Sequence, residues 1–255
     1  MTKENIIIKN IRKNILKKTF SAKSSHIGSC FSIVEILYTI YFHQLKNQDT
    51  FILSKGHAAL ALYCTLNQKR ILSKTLLDSY GKNNSNLMSH VSHKVKGVEF
   101  STGSLGHGLP YAVGKALGEK INKKKNNIYV LMSDGELNEG TTWESLLFAS
   151  HHKLDNLFVI IDYNKIQSLD FVKNVLEIEP LETKIRSFNC NVCNINGHNV
   201  KQISKSFKSK KNKKPNVIIA NTIKGKGVNF MENSILWHYK SPDKDQLKKA
   251  LDQLK

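Results

Sequence analysis

Two oxygen donors stand out as residues able to do chemistry, because each follows directly on an apolar run. Ile128–Met132 leads into Ser133-Asp134-Gly135, and Leu157–Ile161 leads into Asp162-Tyr163-Asn164. Asp134 and Asn164 are 30 residues apart (164 − 134), about the length of one strand-helix-strand crossover. A carboxylate and an amide oxygen suit a hard cation, and an octahedral ion shared by this pair keeps room for phosphate oxygens and water. Gly135 lets the backbone approach a phosphate closely. An Asp-Gly dipeptide alone usually marks an ordinary turn, so the reading needs support from the rest of the chain.

The elements that must position these donors follow from periodicity. Thr141 to Lys153 carries Trp143, Leu146, Leu147 and Ala149 at helical spacing. With the flanking apolar runs it predicts two buried parallel strands joined by a right-handed crossover. Ligands in such sheets gather beyond the carboxyl ends of the strands, where Asp134 and Asn164 both fall. Residues 3–24 read as an amphipathic helix with Ile8, Ile11, Ile15 and Phe20 inward, followed by a break at Ser25–Ser29 and a second helix over Ser32–Leu45. A short strand at Phe51–Leu53 ends in Ser54-Lys55-Gly56-His57 before another helix. Further on, residues 191–199 and 216–221 predict two more strands with a lysine-rich helix between them. Ser241-Pro242 opens a last helix, with proline in its first turn. The chain therefore reads as one α/β domain, a doubly wound parallel sheet flanked by helices. Taken singly, His26 at a helix end and His238 beside Trp237 in a glycine-rich loop read as capping or packing residues.

Composition narrows the classes. At 255 residues the chain can bury a full core, and no apolar run reaches the roughly 20 residues of a membrane span. The N-terminus interleaves lysines with isoleucines and lacks the layout of a secretion signal, which gives a cytoplasmic expectation and no membrane partner. Lys and Arg number 39 against 20 Asp and Glu, a formal +19. The lysines are dispersed, with one dense run at Lys208–Lys214 that reads as a solvated loop. With no recognisable binding motif, nucleic acid is not expected as a partner. Cys190 and Cys193 form a Cys-x-x-Cys without a second pair, and on a strand residues three apart face opposite ways, so reduced structural thiols are expected rather than a zinc site.

Three further stretches resemble the transketolase family. Ser24-Ser25-His26-Ile27-Gly28 is similar to its Ser-x-His-x-Gly, and Leu53-Ser54-Lys55-Gly56-His57 to its Leu-Ser-x-Gly-His. Gly97-Val98-Glu99-Phe100-Ser101-Thr102-Gly103-Ser104-Leu105-Gly106-His107-Gly108 is similar to its Gly-Val-Glu-x-x-Thr-Gly-x-Leu-Gly-Gln-Gly, with His107 in place of Gln. The Asp134–Asn164 unit resembles the family's thiamine-diphosphate signature, with Ser133 where Gly is usual. The resemblance covers nearly the whole chain.

The resemblance implies a thiamine-diphosphate-binding fold and a residue-by-residue site. His26 and His57 would lie over the cofactor's thiazolium, and Gly103 and Leu105 would offer backbone groups to its aminopyrimidine. His90 would reach substrate, with Val91 where the family has Pro and His93 as a rival. Asp134, Asn164 and the backbone of Ile166 would hold Mg2+ (or Ca2+ or Mn2+), Gly135 would lie against the diphosphate, and His238 would approach it. Glu139 would contact, across an interface, the glutamate that activates the cofactor; on its own it reads as a favourable charge at a helix start. The family's Asp-Gly-His is Asn196-Gly197-His198 here.

It also implies an activity. The chain is similar to the N-terminal, diphosphate-binding part of a transketolase, with residues 1–255 as a single domain and no pyrimidine-binding or C-terminal domain. That matches the N-terminal subunit of a split enzyme, which moves a two-carbon ketol unit from a ketose or its phosphate to an aldose. Its partner would be a separately encoded C-terminal subunit, in a heterotetramer of two N- and two C-terminal subunits. The alternatives are the α subunit of a 2-oxo acid dehydrogenase and a non-catalytic cofactor-binding subunit.

Overall fold

A computed structural model describes residues 2–208 and 212–255; of the basic run Lys208–Lys214, residues 209–211 lie outside it. Five strands form one parallel sheet: β1 (Thr50–Leu53), β2 (Ile128–Ser133), β3 (Leu157–Tyr163), β4 (Asn191–Asn196) and β5 (Asn216–Asn221), in the order β1-β2-β3-β5-β4. The register pairs Leu53 with Leu131, Ser133 with Asp162, and Asp162 with Ala220.

Strand alternation splits the core in two. Phe51, Leu53, Tyr129, Leu131, Phe158, Ile160 and Ile218 face one side. There they meet α1 (Lys3–Ala22), α2 (Ile27–Phe31), α3 (Val34–Thr39), α4 (Ala59–Gln68), α5 (Lys74–Leu77), α10 (Val200–Ser206) and α11 (Lys244–Gln253). Ile52, Val130, Met132, Val159, Ile161, Val217 and Ile219 face the other. They pack on α6 (Gly108–Ile121), α7 (Gly140–His151), α8 (Val172–Val175) and α9 (Leu181–Ser187). Helices on both faces of a parallel sheet make the doubly wound α/β architecture expected from sequence. None of the helices described is long and apolar enough to cross a membrane.

Several boundaries differ from expectation. The helix expected over Ser32–Leu45 is α3 continued by a π-turn at Ile40–Gln44, and a short helix, α2, precedes it inside the expected break, because the chain enters through His26 at φ +70° and breaks again at Ile33. β3 runs two residues past its apolar stretch to include Asp162 and Tyr163. The fourth strand stops at Asn196 rather than 199. The last helix is capped by Asp243, with Gln246 completing a capping box, so Pro242 precedes the helix rather than filling its first turn. All four cysteines are free; Cys190 is buried while Cys193 is exposed on β4, so the two thiols diverge.

Candidate active site

Asp134 and Asn164 leave the carboxyl ends of neighbouring strands, and the backbone ties them together. Asp134 begins a 3-10 turn, Asp134–Asn138, that Ser133 and Glu136 close as a capping box. Ser133 thus anchors the turn at the position where Gly is usual in the resembled signature. Asp134 Oδ1 accepts from Gly135 N–H at 2.9 Å, and Oδ2 accepts from Lys165 N–H at 2.6 Å. Asn164 Nδ2 donates to Asp162 Oδ2 at 3.0 Å while its Oδ1 accepts from Ile166 N–H at 3.1 Å. The Asn164 amide is therefore fixed at both ends, and Asp134 is joined to the following residue. Both line one cleft of about 220 Å³, with Gly135 and Ile166.

Beneath them lies a network that the apolar runs did not reveal. Asp162 is fully buried and accepts from Ser32 Oγ at 2.7 Å, from Asn164, and from Lys55 and Thr222. Lys224 is 1% exposed and donates to the carbonyls of Ile166 at 2.9 Å and Gln167 at 3.0 Å, with His238 Nδ1 at 2.8 Å. When Lys224 is protonated it can only donate, and that contact then puts the ring proton of His238 on Nε2. Burial, reinforced by Asp162, raises the Asp134 carboxyl to about 7. Burial likewise lowers Lys224 to about 7, Lys55 adding to the effect while Asp134 and Asp162 oppose it. Two lysines and two carboxylates thus converge on the floor of the cleft. Lys55 could have been suspected from its place inside Ser-Lys-Gly-His; Lys224 carried no signal beyond a neighbouring pair of glycines.

The histidines gather above this floor. The His26 ring lies 5.4 Å from His57, 5.8 Å from His90 and 5.1 Å from His238, centroid to centroid, and His57 lies 5.7 Å from His238. His26 keeps a left-handed backbone at a helix start, where its N–H donates to the His238 carbonyl at 2.6 Å. Ser25 Oγ meets its Nδ1 at 2.9 Å. Burial lowers the imidazoles of His26, to about 4, and of His238, to about 3, with nearby His90 and Lys224 respectively adding to it. Burial and Lys55 hold His57 well below its ordinary value, and burial lowers His90. At neutral pH the four rings are uncharged, and each offers one donor and one acceptor.

Of the rival histidines, His90 lines the cleft, whereas His93 turns to Ser101 Oγ at 2.7 Å. Gly103 backs the His90 ring, since a Cβ there would lie 3.3 Å from its Cδ2, and Leu105 completes that wall. Glu139 does not join the cleft. It is exposed between the 3-10 turn and α7, packed beside Gly106. The carboxylate turned inward is Glu136, which accepts from Ser133 N–H at 2.8 Å, Gly106 N–H at 3.2 Å and the Ser54 hydroxyl. Ser29, Gln167 and Tyr239 also line the cleft and were not foreseen. A larger groove of about 380 Å³ runs along β4 past Arg186 and Lys205, but the cleft over β2 and β3 is where donors and shifted groups converge.

The sequence profile described as "Transketolase, thiamine diphosphate binding domain" matches residues 3–254. The chain belongs to the transketolase family. An apulose-4-phosphate transketolase subunit of Actinobacillus succinogenes is 41% identical over 96% of this chain and 92% of its own length. Human transketolase is 33% identical over 96% of this chain, which spans 41% of that longer protein. The crystal structure of Campylobacter jejuni transketolase matches with a TM-score of 0.89 at 30% identity, over 98% of this chain and 42% of that one. The chain is thus a thiamine-diphosphate-binding component of a transketolase-type transferase. The 2-oxo acid dehydrogenase alternative is not favoured by these relatives.

Proposed function

We propose that this transketolase component works with a separately encoded C-terminal subunit, and that the β2–β3 cleft holds the diphosphate end of the cofactor through a divalent cation. The observation that carries this reading is the convergence of Asp134 and Asn164 with four uncharged histidines in one cleft. The cation donors would be the Asp134 carboxylate, Asn164 Oδ1 and the Ile166 carbonyl. All are oxygens, which suits Mg2+, Ca2+ or Mn2+ over softer metals. Gly135 gives the diphosphate close access to backbone, and Lys55 and Lys224 would balance its remaining charge. Gly103 and Leu105 would meet the pyrimidine end.

When bound, thiamine diphosphate supplies the nucleophilic carbon that accepts a two-carbon ketol unit. The chain's residues do the proton work. His26, His57 and His90 would take and return protons of the ketose and aldose hydroxyls, and His238 would donate from Nε2. A neutral ring carries one N–H and one lone pair, so it can hydrogen-bond a hydroxyl either way, while burial and the nearby lysines keep the charged imidazolium a transient. Glu139, exposed beside the turn that carries Asp134, would reach across to the partner's activating group.

The partner reading draws on lengths: a relative of this size is named as one subunit, while single-chain relatives extend well beyond the matched region. A complex of two N- and two C-terminal subunits in the cytoplasm is the expected form. The substrates would be sugars or sugar phosphates, and apulose 4-phosphate, named for the relative, is the first to assay. Calorimetric titration of Mg2+ with thiamine diphosphate tests the site. Asp134→Ala should abolish metal-dependent binding with the fold intact, and unchanged affinity would remove Asp134 from the metal site.

A further inference from the structure

Asn196-Gly197-His198 takes no part in the cleft, yet it is built with care. Asn196 Oδ1 accepts from His198 N–H at 2.9 Å and forms a tight turn at the end of β4. Gly197 sits so close to the next strand that a Cβ would lie 2.4 Å from Thr222 Cγ2. This approach brings the His198 ring against the exit of β5, where its Nε2 accepts from the backbone N–H of Ile223 at 2.8 Å. A backbone N–H can only donate, so Nε2 carries no proton and Nδ1 does. Nδ1–H then donates to Glu35 Oε2 at 3.0 Å. Glu35 is in turn held by both terminal nitrogens of Arg12, at 2.7 and 2.8 Å, and Arg12 Nε donates to the carbonyl of Lys226 at 2.9 Å.

One connected group therefore grips the chain on both sides of Lys224: His198 at Ile223 and Arg12 at Lys226. Residue 222 is gripped too, through its hydroxyl on Asp162. Lys224 between them reaches into the cleft to the carbonyls of residues 166 and 167 and to His238. We propose that His198 is a positioning residue for Lys224, acting through the backbone of Ile223 and anchored by Glu35 and Arg12. The proposal rests on the reading of the cleft as a diphosphate site, because Lys224 matters there as the cation to be aimed. His198 lies outside the cleft lining and touches neither cofactor nor substrate in this reading.

Two measurements test it. The first needs only the chain: nitrogen-15 ring shifts should report His198 as the neutral Nδ1–H tautomer. An Nε2–H tautomer overturns the clamp whether or not a cofactor binds. The second is calorimetry of Mg2+ with thiamine diphosphate on wild type, His198→Leu, His198→Gln, Lys224→Met and the Leu/Met double variant. Glutamine can accept from Ile223 and donate to Glu35, so His198→Gln should stay within about threefold of wild type, while His198→Leu should weaken binding roughly 10- to 100-fold, as supporting residues around a charged site do. Residues acting as a unit are non-additive. In the Lys224→Met background the leucine should therefore cost less than about threefold more. A His198→Leu protein within threefold of wild type, or a penalty undiminished without Lys224, overturns the proposal while sparing the cofactor site. Failure of the wild-type chain to bind thiamine diphosphate overturns both.

Discussion

An uncharged imidazole offers a hydroxyl both a donor and an acceptor, and burial with Lys55 nearby holds His57 well below its ordinary value. His57→Ala should lower turnover of the assembled enzyme on the order of 10²–10⁴, the range for a lost general acid or base, with little change in cofactor affinity. Steady-state kinetics at saturating cofactor checks it, and a loss under threefold would make the residue structural. Glu35 offers a test away from the cleft. Burial opposes its ionisation, but Arg12 and the His198 bond prevail and hold the carboxyl at about 2, below its usual 4.5. A carboxyl lowered on folding contributes stability that is present above the unfolded value and lost as pH falls through the folded one. Between pH 4.5 and 2 the wild type should lose about 3 kcal/mol through this group, and Glu35→Gln should be destabilised by a similar amount at pH 7, as when a buried pair is broken. Urea unfolding across that pH window would show both. At this scale the sequence disclosed Asp134, Asn164, His26 and His57, because strand ends and fixed spacings mark them. It hid the charges below. A buried lysine looks like any other in a chain with 39 basic residues, and Asp162 looked like a loop residue because, Asn164 apart, its stabilising partners come from three distant segments, at Ser32, Lys55 and Thr222.

Elements were legible where periodicity was long, as in α1, α7, β2 and β3, and illegible where geometry is set by contacts far along the chain. β3 continues through Asp162 and Tyr163 because pairing with Ala220 and Asn221 persists after the hydrophobic run has ended. The π-turn after α3 and the short helices α5, α8 and α9 carry too few residues for a period to register. Gly106 shows how a loop positions an element. At φ +78°, with a Cβ there only 2.6 Å from Thr141 Oγ1 and 2.8 Å from the Glu139 Cβ, it seats the cleft wall against the start of α7. Gly106→Ala should destabilise the protein by about 2 kcal/mol, from left-handed strain and crowding together. Chemical denaturation would measure this, and a change below 0.5 kcal/mol, the ordinary surface range, would show that the loop can shift freely.

For the molecule as a whole, the expectation is that this chain binds cofactor but transfers no ketol unit until its partner joins. Cofactor with Mg2+ should tighten that association, since a ligand preferring the complex stabilises it by mass action. Sedimentation and a coupled ketose-to-aldose assay on each component singly and together decide it, and robust turnover by the 255-residue chain alone would refute the two-component reading. The sheet's connectivity bears on how the molecule comes into being. β1 lies at an edge and pairs only with β2, Thr50 against Ile128, 78 residues later (128 − 50). At about 5–20 residues per second on the ribosome, the first strand waits roughly 4–16 s for its neighbour. During that interval the apolar faces of α1–α4 have emerged without the sheet they cover. A longer wait means longer exposure of those faces, so soluble yield should rise with chaperone cover and fall when translation is slowed.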